Sequence, residues 1–250
     1  EHNVTVAEIT GSNVVSVAEH VVMQMLALVR NYILAYNEVI GGGWDIGKIA
    51  SRSHDLEDKT NGILGMGRIG QRVAARLKPF DVHTYYFDSR RLTTAEEQVL
   101  GARYSGFNAL VSSADVLSIN MPLTPATQEL FNRELLYSMK KGAYLVNTAR
   151  GRIVETDALV EVMEAGHLAG YAGDVWYPQP APAEHPWRKM PNHAMTPHVS
   201  GTTLEAQKRY ADGVRDCLIS FFDGRPIDRD YIIVEGGRVT SPSYSYAYQT

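Results

Sequence analysis

Gly65, Met66, Gly67, Arg68, Ile69 and Gly70 spell G-x-G-x-x-G, a spacing suited to holding a pyrophosphate. Gly65 would permit a tight turn, Gly67 would let a phosphate approach the backbone, and Gly70 would let a helix pack close to a strand. Arg68 and Ile69 would meet the ligand from the same loop, and the following helix would offer its unpaired N–H groups. Alone the pattern is weak, since a plain strand-to-helix turn can use the same glycines. The apolar pair Ile63-Leu64 before it and the helix-forming run after it give it context. Asp88 ends the next expected strand, 18 residues after Gly70. A carboxylate there would accept hydrogen bonds from the adenosine ribose hydroxyls and repel a 2′-phosphate, so the expected cofactor is NAD rather than NADP. Arg90 and Arg91 follow directly and would soften that discrimination.

Three later segments carry polar residues where strands should end: Asn147 to Gly151, Gly173 to Pro180, and Thr196 to Gly201. Strand carboxyl ends are where open α/β sheets bind ligands. No H-x-x-x-H or H-E-x-x-H spacing occurs, so no metal is expected. His20, His54, His83 and His167 are expected to be structural or exposed.

These residues need a scaffold of alternating elements. Strands are expected at Thr60–Leu64, Val82–Phe87, Val116–Asn120, Ala143–Asn147 and Ala169–Val175, being rich in β-formers. Helices are expected at about Arg68–Leu77, Arg133–Lys140 and Glu155–Ala165, and a long one at Thr203–Phe222. Alternation of this kind predicts a parallel sheet with helices on both faces. Before it, Ser16 and Glu19 fit a capping box, from which one helix would run to about Ile40 and stop at Gly41-Gly42-Gly43. Its apolar residues lie on several faces, so it should be buried in a core or against another subunit. Residues 44–58 look like a connecting loop. The Ser/Tyr tail from Gly236 should be extended or mobile.

Composition narrows the partners. Lys and Arg total 24 against 28 Asp and Glu, a net charge of −4, which leaves no basic field for nucleic acid. Val14 to Leu34 is the most apolar stretch, yet Glu19, His20, Gln24 and Arg30 interrupt it, so a membrane span is not expected. Cys217 is the single cysteine of 250 residues, which excludes an internal disulfide and fits a reducing compartment. No basic and apolar leader precedes Asn3, so a cytoplasmic home is expected, or a mitochondrial one if a targeting segment preceded Glu1.

Together with the glycine loop, the three polar segments resemble the D-2-hydroxyacid dehydrogenase superfamily and, within it, the NAD-dependent formate dehydrogenases. The runs Ser12 to His20, Asn147 to Gly151 and Asp174 to Pro182 carry the resemblance, which extends from about Asn3 to Gly237. It implies a Rossmann-like doubly wound parallel sheet with the remnant of a second, flavodoxin-like α/β domain. Residues 1–13 would end that formate-side domain, 14–199 would bind NAD and dimerise, and 200–250 would return to the first domain. Two features depart from the pattern: Met66 stands where a smaller residue is usual, and Thr124 where some relatives have His. The family has a substantial portion ahead of the Asn13 motif, so the chain is expected to be a fragment or truncated form, rather than a compact variant or one completed by another polypeptide.

The resemblance also implies roles. Arg150 would clamp the formate carboxylate with a bidentate guanidinium, and Asn13 would donate an amide N–H to it. His198, oriented by Gln179, would complete the polar pocket. Asp174 would bind the nicotinamide carboxamide, Pro122 would pack beside the cofactor, and Thr148, Ser200 and Gly201 would lie near it. Relatives that oxidise hydroxy acids pair the histidine with Glu because they must move a proton as well as a hydride. Formate loses only a hydride, so a neutral amide at Gln179 favours formate. The expected activity is therefore oxidation of formate to CO₂ by a homodimer built on the helix from Ser16. The alternatives are a non-catalytic NAD-binding dimer and a D-2-hydroxyacid dehydrogenase.

Overall fold

A computed structural model of the chain describes residues 3–9 and 11–241. Two compact units share the chain: Glu1–Ser16 with Gly201–Thr250, and Val17–Ser200. In chain order the elements are β1 (Val6–Ala7), α1 (Val14–Val29), α2 (Tyr32–Ile40), α3 (Ile46–Ala50), β2 (Thr60–Leu64), α4 (Arg68–Leu77), β3 (His83–Phe87), α5 (Thr94–Leu100), β4 (Ala102–Tyr104) and α6 (Phe107–Ser113). They continue with β5 (Val116–Ile119), α7 (Arg133–Ser138), β6 (Tyr144–Asn147), α8 (Thr156–Glu164), β7 (Gly170–Gly173), β8 (His193–Met195), α9 (Leu204–Phe222), β9 (Ile232–Glu235) and β10 (Arg238–Val239).

The larger unit is built on a seven-stranded sheet in the order β4-β3-β2-β5-β6-β7-β8. Every neighbouring pair is parallel. Parallel strands buried on both faces need apolar residues pointing both ways. Along β2, Ile63 joins one cluster with Val21 and Met25 of α1 and Val73 and Leu77 of α4, while Leu64 joins another with Leu110 of α6 and Leu159 of α8. This is the expected Rossmann-like architecture with helices on both faces. The strand order reverses between β2 and β5, and the carboxyl ends of strands at such a switch point form a ready crevice.

Two local expectations change. The first helix is two helices, because Asn31 takes a left-handed conformation (φ 50°) and its side-chain amide donates to the Arg52 carbonyl at 2.5 Å. Asparagine tolerates that conformation, and no glycine or proline between residues 14 and 40 signals a break. Ser16 is no cap either. It lies inside α1, its hydroxyl 2.8 Å from that of Thr203, and Glu19 pairs with Arg76 instead. A capping box does occur at α5, where Thr93 accepts from the Glu96 amide and Glu96 accepts from the Thr93 amide. Residues 44–58, expected as loop, include the short α3.

In the smaller unit β9 pairs antiparallel with both β1 and β10. Gly213 of α9 leaves room for Ile9, since a Cβ there would stand 2.5 Å from its Cγ2. Arg209 of α9 donates to the Ser12 carbonyl at 2.6 Å. Most of the Ser/Tyr tail, from residue 242, lies outside the described residues. Among the described residues no helix is long and apolar enough to cross a membrane.

Leu117 is fully buried at the centre of the sheet. Leu117→Ala should cost about 2–5 kcal/mol in urea-induced unfolding of the purified chain.

Candidate active site

The glycine loop leaves β2 at the switch point. Gly65 has φ +92°, and a Cβ on it would lie 2.7 Å from the Asn120 carbonyl carbon beyond β5. A Cβ on Gly70 would lie 2.1 Å from the Gly65 carbonyl oxygen, so α4 can start here only with glycine. Gly67 differs: a Cβ on it would meet nothing within 4 Å. Packing within the chain does not require glycine at 67, and the open space over it suits a group that must come close to the backbone. Gly67 is the N-cap of α4 and offers no side-chain cap, so the amino end of the helix opens onto that space. Arg68 is exposed and Ile69 half-buried. Asp88 follows β3, and its carboxylate accepts from the Met66 amide at 2.6 Å and the Arg90 amide at 2.9 Å. The expected ribose acceptor is thus tied to the expected phosphate loop. Arg91 is drawn away from it, with its guanidinium over the Tyr104 ring and its Nε 3.4 Å from Glu97. Pro122, after β5, is exposed, and its carbonyl accepts from the Thr127 hydroxyl at 2.7 Å.

The adjacent carboxyl ends of β6, β7 and β8 present the other segments. Asn147 ends β6 and is fully buried. Its side-chain oxygen accepts from the Ala149 amide and its nitrogen donates to the Arg150 carbonyl, both at 3.0 Å. A Cβ on Gly151 would lie 2.5 Å from the Trp176 carbonyl carbon. The turn that carries Arg150 is therefore held on both sides, while the residue itself is exposed. Thr148 is buried in the same turn.

Gln179 and His198 meet. The Gln179 amide nitrogen lies 2.8 Å and its oxygen 3.0 Å from His198 Nδ1. A primary amide serves either tautomer: its N–H donates to a bare Nδ1, or its oxygen accepts from Nδ1–H. The first arrangement leaves Nε2–H as a donor. His198 has φ 61°, a conformation rare for a residue with a side chain and one that neighbours must stabilise.

Asp174, just past β7, does that work. It is fully buried. Its Oδ1 accepts from the Thr196 hydroxyl at 2.6 Å and the Val199 amide at 2.8 Å, and its Oδ2 accepts from the Ser200 amide at 2.7 Å. Burial alone would raise the Asp174 pKa. Hydrogen bonds from the Ser200 and Thr196 hydroxyls and from the Ser200 and Val199 amides outweigh it and hold the carboxyl below the ordinary carboxylate value. Asp174 thus serves as the anchor of the His198 loop. Ser200 is buried beside it. Asn13 and Gly201 belong to the smaller unit, where a Cβ on Gly201 would lie 2.7 Å from Asn13 Nδ2.

Residues 22–200 match the model of the D-isomer specific 2-hydroxyacid dehydrogenase NAD-binding domain. The chain belongs to this dehydrogenase family. It is 49% identical over 249 residues to the formate dehydrogenase of Pseudomonas sp. (strain 101), a match that spans 99% of this chain and 62% of that one. A Granulicella formate dehydrogenase superposes with a TM-score of 0.92 at 50% identity, covering 96% of this chain and 64% of that one. The NAD-dependent formate dehydrogenase of Staphylococcus aureus, in complex with NAD, gives 0.85 at 52% identity, covering 94% and 70%. The chain thus spans about 62% of the length of curated relatives that it matches.

As a dehydrogenase NAD-binding domain, the larger unit has residues that fit the dinucleotide. Gly67 and the open amino end of α4 suit the pyrophosphate, and Asp88 suits the adenosine ribose. Two residues set aside in the sequence come into the site. His20 of α1 reaches Thr196 Oγ1 at 3.1 Å, and Gln24 donates to the Gly173 carbonyl at 3.2 Å. No short motif pairs them with their partners, 176 and 149 residues away. Among the described residues, no group of three or more His, Cys, Asp or Glu could hold a metal ion.

The two glycines separate packing from ligand approach. Gly70→Ala should lower the melting temperature and weaken NAD binding together. Gly67→Ala should leave the melting temperature unchanged and weaken NAD binding roughly tenfold, the size of a 1.4 kcal/mol loss, in a fluorescence titration. Acid should also test Asp174. Its lowered folded-state pKa gives stability that is present above the unfolded pKa and is lost as pH falls through the folded one. Asp174→Asn should therefore lower stability at neutral pH and flatten its dependence across the acidic carboxylate range in pH-resolved thermal melts.

Proposed function

We propose that this chain oxidises formate to CO₂, with NAD as hydride acceptor. The observation that carries the reading is the neutral Gln179 amide on His198 Nδ1. A carboxylate there would raise the histidine pKa and make it an acid–base group, which a hydroxy acid needs and formate does not. Similarity to formate dehydrogenases over nearly the whole chain supports the same substrate.

In this reading Arg150 binds formate through two parallel N–H···O bonds, a planar match that a lysine lacks. His198, with Gln179 donating to Nδ1, presents Nε2–H as a second donor. The Asn147 turn holds the backbone of Arg150 and the Asp174-anchored loop that of His198, while the exposed Arg150 guanidinium, which donates to the Ala149 carbonyl at 2.7 Å, turns onto formate as it binds. NAD, when bound, supplies the electrophilic nicotinamide ring. Leu64–Gly70 and Asp88 hold its adenosine and pyrophosphate portion. No side chain moves a proton, because the formate C–H leaves as hydride and the remainder departs as CO₂. Thr148 and Pro122 line the cofactor's path.

We also propose a homodimer through the region 16–40. None of the residues of α2 is buried, and Tyr32, Ile33, Tyr36, Val39 and Ile40 are exposed along it. An apolar helix face of this kind fits a second copy of the chain.

Protein mixed with NAD and formate should generate NADH fluorescence, while lactate or glycolate should give none. Arg150→Ala should reduce formate turnover about a hundredfold or more while NAD affinity stays within about twofold. NAD binding without turnover would leave a cofactor-binding module, and turnover of lactate would leave a hydroxy acid dehydrogenase. Tyr36→Glu should shift the sedimentation coefficient from dimer to monomer.

A further inference from the structure

We propose that His20 is a positioning residue for the catalytic loop, acting on His198 through Thr196 and Asp174. The proposal rests on the formate-oxidising role given above to His198.

Donor and acceptor logic fixes the chain of bonds. The Asp174 carboxyl is held ionised by its hydrogen bonds, despite the burial that opposes them, so it can only accept. The Thr196 hydroxyl, 2.6 Å from Asp174 Oδ1, must therefore spend its one proton on Asp174. At 3.1 Å from His20 Nε2, the same hydroxyl can then only accept. His20 must donate, which selects the Nε2–H tautomer. Burial pushes the His20 pKa down, against the opposing pull of Asp174, so the ring is neutral and has one N–H to give. That side chain is only 12% exposed, and its Nε2 stands 4.0 Å from Asp174 Oδ1. The order of donation is His20 to Thr196 to Asp174.

Asp174 passes this order on to the loop. The amides of Val199 and Ser200 both donate to it, immediately after His198. His198 holds φ 61°, which costs free energy wherever neighbours do not impose it. Without the bond from His20, Thr196 can rotate its proton to the Gly173 carbonyl at 3.3 Å. Asp174 would then lose one of its four bonds, and the loop one of the restraints on the carboxylate that bends it. The Gln24 amide, which also donates to the Gly173 carbonyl, holds the neighbouring strand end on the same face of α1.

The test compares His20→Phe, which keeps a ring without the donor, with His20→Gln, which restores an N–H. Thr196→Val and the double variant complete a cycle. In formate oxidation, His20→Phe and Thr196→Val should each lower kcat about fivefold or more, with the double variant no worse than the single ones. His20→Gln should recover to within about threefold of wild type. NAD affinity should stay within about twofold in all four, which separates loop positioning from damage to the cofactor unit. A His20→Phe rate equal to wild type, fully additive losses, or equal losses in His20→Gln and His20→Phe would overturn the proposal. A second readout does not depend on turnover. The His198 ring ¹⁵N resonances should shift or broaden in His20→Phe and return in His20→Gln; unchanged resonances would overturn it as well. Wild-type protein that leaves formate unoxidised would refute the functional reading, and the His198 resonances would still decide the role of His20.

Discussion

The buried carboxylate of Asp174 is the interaction on which the candidate site depends. An ionised acid without exposed surface is tolerable only when its oxygens are fully engaged. Here they are engaged by the segment that ends in His198 and Ser200. The cost of burying the charge and the cost of the left-handed His198 are thus offset by one set of bonds. Removing the carboxylate exposes both costs together. A histidine on such a loop is placed by the fold's interior rather than by the loop's own preferences.

The sheet explains why the other groups meet near it. β2 lies inside the sheet, and strands are added outward from it first on one side and then, from β5, on the other, so the crevice opens beyond β2 and β5. Gly65 and Asp88 stand beyond β2 and β3, and Arg150, Asp174 and His198 stand beyond β6, β7 and β8. Residues more than 130 positions apart in the chain come to one edge because parallel strands point their carboxyl ends the same way. Glycine serves two purposes along this edge. At 65, 70 and 151 the backbones are too close for a Cβ, whereas at 67 the chain leaves open space.

Much of this was legible in the sequence, for identifiable reasons. Helix α4 and strand β2 stand at the expected residues because the glycine loop marks their shared boundary and the apolar spacing marks their faces. The Gln179–His198 contact was implied by the family resemblance and is present as a close pair. Short elements with little apolar signal, such as α5, β4, α6 and β8, were not legible. Neither was the break at Asn31, where a left-handed asparagine interrupts a stretch free of glycine and proline. Ser16 and Glu19 matched a capping pattern, but tertiary partners claimed both side chains, Thr203 for one and Arg76 for the other. His20 read as structural because its partner lies 176 residues away and no spacing rule reaches that far.

The central claim is that the arrangement sets formate for direct hydride loss, with no proton carried by a side chain. Deuterated formate tests it most directly. The chain supplied with deuterated formate and NAD should yield NADH that carries the deuterium on the nicotinamide ring, by mass spectrometry, and should form it more slowly than from ordinary formate. NADH free of deuterium, or no NADH at all, would contradict the account.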